Sequence, residues 1–121
     1  MRKLFDSEIN LLNKFFENIG DKSIILNNKS FLDIYVEELS DGEMGSIEFV
    51  FDEKKDRKFG NVLLEAVVND IDERNIMLEL SLDNHGILYQ LDAFTEDFKP
   101  LKGHLGENDN IVEVTFRRSL K

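Results

Sequence analysis

From residue 31 to residue 116 apolar residues recur at alternate positions, in runs separated by clusters of Gly, Asn, Asp and charged residues. Alternation sends successive side chains to opposite faces of an extended chain, so each run is a strand with one face meant for a core. Phe31 to Leu39 reads as the first strand and Ser46 to Phe51 as the second, joined as a hairpin by Asp41-Gly42-Glu43-Met44-Gly45. Val62, Leu64, Ala66 and Val68 mark a third strand, and Ile76, Leu78, Leu80 and Leu82 a fourth. Ile87, Tyr89, Leu91 and Ala93 mark a fifth, and Ile111 to Phe116 is the sixth. Asp52 to Lys58 is so charged that it reads as a solvated turn, Asn69 to Asn75 is a loop, and Pro100 opens a long polar loop through Gly103, Gly106 and Asn110.

Only residues 6–19 carry a helical period. At 100° per residue Ile9, Leu11, Leu12, Phe15, Phe16 and Ile19 fall on an arc of about 160°, opposite Asn10, Asn13, Lys14 and Glu17. Asp6 or Ser7 is expected to cap the first turn, Glu8 to complement the dipole and Gly20 to stop the helix. The expected architecture is α+β: one domain over residues 1–121, with an N-terminal helix packed on a mainly antiparallel sheet of about six strands. A chain of this length can bury roughly two-thirds of its extended surface, enough for a real core.

The fourth and fifth strands meet at Asp83-Asn84-His85-Gly86, where turn chemistry and patterning disagree. A type I turn with Gly86 as the bulge would pair Asp83 with Ile87, setting Leu80 against Gln90. An even loop pairs Leu82 with Ile87, Leu80 with Tyr89 and Leu78 with Leu91, and this register is expected because it keeps apolar partners together. It turns Glu79 and Asp92 to the other face, where Glu65 also points.

The chain has no Cys, which excludes disulfides, thiolate metal sites and cysteine nucleophiles and suits a reducing cytoplasm. An acid at Asp6 interrupts the basic start before any secretory apolar region can form. No apolar run approaches the ~20 residues that span a bilayer. A cytoplasmic location is expected.

The net charge of −10 is unevenly placed. Residues 65–97 hold nine acidic and one basic residue, a balance of −8, whereas residues 1–64 sum to −4 and residues 98–121 to +2. A field of that sign repels nucleic acid and anionic membranes and steers a basic protein. Plain solubility would also account for it.

No catalytic set can be assembled. His85 and His104 each sit in a Gly-containing turn without metal spacing, and turn histidines are mostly solvated. Asp70-Ile71-Asp72 opens like a calcium loop, but Asn75 stands where Gly is needed and the closing Glu is missing. Gly42-x-x-Gly45-Ser46 lacks the lysine of a phosphate loop. Adjacent acids such as Glu37-Glu38, Asp72-Glu73 and Glu96-Asp97 read as charged surface, not an acid-base pair. Arg117 and Arg118 are expected to salt-bridge the acidic sheet. No cofactor and no metal are implied.

Four blocks go beyond pattern: Met1-Arg2-Lys3-Leu4 before the helix, the turn Asp41-Gly42-Glu43-Met44-Gly45-Ser46, the run Leu88-Tyr89-Gln90-Leu91-Asp92-Ala93-Phe94, and Asp97-Phe98-Lys99-Pro100-Leu101. In that order they resemble a family of small uncharacterised bacterial proteins similar to immunity proteins of polymorphic or contact-dependent toxin systems. Phe94 stands where a bulkier aromatic is expected, and Lys99 replaces a serine. The resemblance implies no catalytic residues and, as partner, a cognate toxin domain.

The functional expectation is a non-enzymatic, immunity-type protein that binds and neutralises a basic toxin domain. Its contact pool is Glu65, Asp70, Asp72, Glu73, Glu79, Asp83, Asp92, Glu96 and Asp97. Phe94 is expected in the core, with an anchoring role at the interface as the alternative. The rival classes are a homo-oligomeric scaffold, pairing the exposed edges of the first and sixth strands or the open sheet face, and an acidic-residue hydrolase. The protein is expected to be a monomer or a weak homo-oligomer.

Overall fold

In the computed structural model, which describes residues 1–117, the alternating runs become strands β2 (Tyr35–Glu38), β3 (Ile47–Val50), β4 (Phe59–Asn69), β5 (Asn75–Asp83), β6 (Leu88–Thr95) and β7 (Ile111–Phe116). Arg2–Lys3 adds a two-residue β1, so the antiparallel sheet has seven strands in the order β1-β2-β3-β6-β5-β4-β7. Two residues carry no period, which is why β1 is invisible in the sequence. The inner face buries Val36, Ile47, Phe49, Leu64, Ala66, Val68, Ile76, Leu78, Leu80, Leu82, Leu91 and Ala93. Helix α1 (Asp6–Phe16) packs on it with Leu11, Leu12, Phe15 and Phe16, helped by Ile25, Leu26, Phe31 and Leu105.

The helix departs from its sequence outline at both ends. Phe5, not Asp6 or Ser7, is the N-cap residue, and its N–H donates to the Glu8 carboxylate at 2.7 Å. Glu8 is buried and also holds the Arg2 guanidinium at 2.8 and 3.0 Å, so it ties β1 to the helix besides lying near the dipole. The helix ends at Phe16, before Gly20, where the Ile19 N–H turns back to the Phe16 carbonyl. The expected first strand is also shorter. Ser30 caps a 3-10 turn over Phe31–Asp33 through the Leu32 N–H, and extended structure begins only at Tyr35.

At the β5–β6 turn both competing forces are satisfied. Gly86 adopts φ 81°, its N–H donates to the Asp83 carbonyl, and Asp83 pairs with Ile87 as the turn chemistry demands. A bulge between Leu80 and Leu82 then shifts the register by one residue, so Leu80 faces Leu91 and Leu78 faces Ala93. The expected even loop is corrected, yet apolar partners still meet, because the bulge restores the pleat.

The 52–58 segment carries the chain from β3 to β4 past the intervening ends of β6 and β5. It is not merely solvated. Arg57 is largely buried, bonds Asp83 at 2.6 Å and the Phe49 carbonyl at 2.7 Å, and reaches the Leu88 carbonyl, stitching three strands together. At the other end the 101–106 loop lies on the helix. Gly106, at φ 88°, comes so close that an added Cβ would sit 2.1 Å from the Ser7 carbonyl oxygen. Among the described residues no helix is long and apolar enough to cross a membrane.

Candidate functional site

The nine acidic residues expected at a partner surface separate into three places. Glu65, Glu79 and Asp92 lie on the outer face of the sheet, on β4, β5 and β6. Asp70, Asp72, Glu73, Glu96 and Asp97 gather at the loops where β4 turns into β5 and β6 ends. Asp83 sits at the opposite end of β5, beside Arg57.

The outer-face group is a row. Glu65 is directly opposite Glu79, and Glu79 directly opposite Asp92. With strands about 4.8 Å apart, three carboxylates span roughly 10 Å. Like charges directly opposite each other weaken a sheet, so this row is a cost that the fold carries. The Asp92 carboxyl is pushed above its ordinary value, first by burial and then by the charge of Asp41. Arg117 partly offsets the row by bonding Glu65; Arg118 lies outside the described residues. Glu37 and Glu48, opposite each other on β2 and β3, extend the acidic character of the same face. Glu37 is expected only as one of a charged surface pair with Glu38, and Glu48 is not among the expected contact residues, although its place between Ile47 and Phe49 aims it outward.

One register step along, Val67, Met77 and Phe94 form an apolar row beside the acids. Glu65, Glu79, Val67, Met77, Phe94 and Glu113, with Arg117 as the one cation, line a depression of about 280 Å³. Phe94 is 40% exposed, which corrects its expected place in the core. Its ring stacks at 6.0 Å on Phe98, itself 70% exposed and held at φ 55°, a backbone region that bulky residues rarely adopt. Acids beside an apolar strip suit a Lys or Arg side chain, whose stem packs on the strip while its head meets the carboxylates.

Asp70 and Asp83 are corrected as contact residues, because both are buried and already saturated. Burial opposes the charge of Asp83, but Arg57 and the N–H groups of Ile87 and His85 outweigh it and hold the carboxyl below its ordinary value. Burial likewise opposes the charge of Asp70. The N–H groups of Lys102, Ile71 and Gly103 prevail, with Arg74 at 3.0 Å. Arg74 also binds Asp72 at 2.8 Å and Asp97 at 2.7 Å, and Glu96 accepts the Asn75 N–H. Glu73 is exposed on the turn at φ 70°. The single cation of the acidic segment thus neutralises most of this cluster, leaving the outer-face row as the less compensated one.

A family model described as a domain of unknown function, DUF6984, matches residues 1–104. The chain belongs to the DUF6984 family. The matched span includes Glu65, Glu79, Asp92 and their apolar neighbours, and stops before β7. Neither the curated proteins nor the solved structures yielded a match. A second concavity of this DUF6984 domain, about 260 Å³, lies between the helix start, the 41–46 turn and the 101–105 loop. There the Phe5 ring has the Arg2 guanidinium 3.7 Å from its centroid and the His104 ring, tilted by 37°, at 4.2 Å. Three of its acids are engaged: Arg2 holds Glu8 and Glu38, and Asp41 accepts the N–H groups of Met44 and Ser46. Among the described residues no group of three or more His, Cys, Asp or Glu is arranged to hold a metal.

Proposed function

We propose that this DUF6984 protein is a non-enzymatic, immunity-type binding protein that captures a basic toxin domain on the outer face of its sheet, in the cytoplasm. The observation that carries the reading is the row Glu65–Glu79–Asp92, compensated only at its Glu65 end by Arg117, beside Val67–Met77–Phe94. A row of like charges lowers the stability of the free protein, and a basic partner recovers that loss on binding. Toxin domains that act on nucleic acids have basic active sites, so a surface of this sign blocks them while repelling their substrate. Close charge pairs at such interfaces couple by about 1.5–7 kcal/mol, whereas rim charges mainly set the association rate. Phe94 and Phe98 supply the aromatic anchors typical of an interface centre.

The test is co-expression with the product of the neighbouring gene, with protection from toxicity and co-purification as readouts. Wild type should bind and protect, and Glu79→Lys combined with Asp92→Lys should abolish both while the circular dichroism spectrum is retained. No binding by the wild type rejects the immunity reading. Binding that survives the reversals rejects the outer face as its site.

A further inference from the structure

Phe98 is a bulky residue where the backbone asks for glycine. It closes the turn after β6 at φ 55°, with its N–H on the Thr95 carbonyl at 3.0 Å, and it is 70% exposed. Glycine takes this conformation without strain, whereas a side chain crowds the adjoining carbonyl. The turn is nevertheless held firmly. The Thr95 hydroxyl donates to the Lys99 carbonyl at 2.7 Å, and Asp97 accepts the Lys99 N–H at 3.2 Å while bonded to Arg74 at 2.7 Å. What the strained position achieves is the stack of Phe98 on Phe94, with ring centroids 6.0 Å apart and planes nearly parallel. Two rings that stay partly in water add little to the free fold, so the strain serves a surface held ready for contact.

Phe94 lines the outer-face depression with Glu65, Glu79, Val67 and Met77, and Phe98 backs its ring from outside that depression. A ring beside carboxylates is how this chain holds its own guanidinium groups. Arg2 lies 3.7 Å from the Phe5 centroid with its N–H groups on Glu8 and Glu38. Arg57 lies 5.2 Å from the Phe51 centroid and 5.5 Å from that of Tyr89, with an N–H on Asp83. On the outer face Arg117 takes only the Glu65 end of the acidic row. Among the described residues no cation lies over the Phe94 or Phe98 ring.

We propose that Phe94, backed by Phe98, and Glu79, opposite Asp92, form the seat for one arginine side chain of the basic partner. This rests on the reading of the outer face as the capture surface and adds what that face recognises. The stem of the arginine packs on Val67 and Met77, its planar guanidinium stacks on the Phe94 ring, and its N–H fork meets the Glu79 carboxylate. Lysine fits less well, because its ammonium is a compact, strongly hydrated charge without a planar face or a fixed fork. Phe98 is a positioning residue: it keeps the Phe94 ring at the surface in the orientation that the guanidinium needs.

The test is to titrate the full chain with tetra-arginine and with tetra-lysine peptides, following amide chemical shifts of β5 and β6. Wild type should bind tetra-arginine about fivefold more tightly. Phe94→Leu and Phe98→Gly leave the net charge at −10, so general attraction to cations persists in both. Each should bring the tetra-arginine affinity down to that of tetra-lysine and leave the latter unchanged. Phe98→Gly should also hold or raise the urea midpoint, because the backbone strain goes with the ring. A lowered midpoint would make Phe98 a residue of the fold and overturn its positioning role. Equal binding of the two peptides by wild type, or a preference that survives both variants, overturns the arginine seat and leaves the acidic face standing as a capture surface. Binding of neither peptide also overturns the seat, and co-expression with the neighbouring gene product then decides the toxin reading separately.

Discussion

Asp83 and Glu79 are carboxylates four residues apart on one strand, with opposite relations to the fold. Asp83 is buried, bonded to Arg57 and to two backbone N–H groups, and every oxygen contact it makes is internal. Glu79 lies half-buried between two other acids, Glu65 and Asp92, with no cation opposite it. The same distinction separates Asp70, at the centre of the loop cluster, from Asp92 on the outer face. One class of acid holds the molecule together, and the other is held in place at a cost. A surface that costs stability in the free protein is the surface to examine for a partner.

Removing Asp83 should have the largest effect. Asp83→Ala leaves the Arg57 guanidinium without its counter-charge at the ends of β3, β5 and β6, and breaking a buried pair from one side costs about 3–5 kcal/mol. Equilibrium urea unfolding measures it. A loss below about 1 kcal/mol would place Asp83 with exposed salt bridges and erase the distinction.

The loop cluster should respond more locally. Asp70→Asn removes the charge that faces Arg74 and one of the acceptors serving the Lys102, Gly103 and Ile71 N–H groups. Leaving such groups under-satisfied costs about 1–3 kcal/mol. Amide exchange should quicken first at Lys102 and Gly103, because that loop is anchored to the β4–β5 turn by Asp70. Uniform acceleration across the sheet would mean that Asp70 supports the whole fold and not this clamp.

For the outer face the sign reverses. Glu79→Gln relieves two like-charge oppositions and should raise stability by about 0.2–1 kcal/mol, while weakening the proposed complex with a basic partner. Gain of stability with loss of binding separates a functional acid from a structural one. A variant that is destabilised would show that Glu79 belongs with Asp83.

How far the sequence discloses this distinction can be traced residue by residue. Alternation through Ile76, Leu78, Leu80 and Leu82 is enough to turn Glu79 outward, and the same logic serves Glu65 and Asp92. It cannot separate Asp83 from Glu79, because the partner that neutralises Asp83 is Arg57, 26 residues away within a run of charges that resembles a solvated turn. Only the crossing from β3 to β4 brings them together, and that path depends on strand order, which no local pattern encodes. Phe94 is misjudged for a related reason: aromatic rings are core residues by default, and its register beside Asp92, both on the outward side of β6, overrides that default. The bulge after Leu80 escapes because turn chemistry and hydrophobic pairing each fix a different local register, and one inserted residue reconciles them.

The smallest effect is a difference in pH response on either side of the ordinary aspartate value of 3.8. Asp70 and Asp83 have folded values below it, so their contribution to stability is complete above pH 3.8 and is lost as the pH falls through those lowered values. Asp92 has a folded value above 3.8, first because burial disfavours its charge and then because Asp41 repels it. On acidification the folded state takes up that proton before the unfolded chain does. The Asp92 penalty is therefore full above its raised value, fades as the pH falls through it and is gone at about pH 3.8. Subtracting the stability of Asp92→Asn from that of the wild type, measured by urea unfolding at successive pH values, isolates this group from the other carboxylates. The difference should rise as the pH is lowered toward 3.8 and then level off, whereas the corresponding curve for Asp83→Asn should be level above 3.8 and fall below it. If the Asp92 curve instead falls on acidification, its carboxylate is stabilised as an anion in the fold, and the outer-face row is a structural feature like the loop cluster.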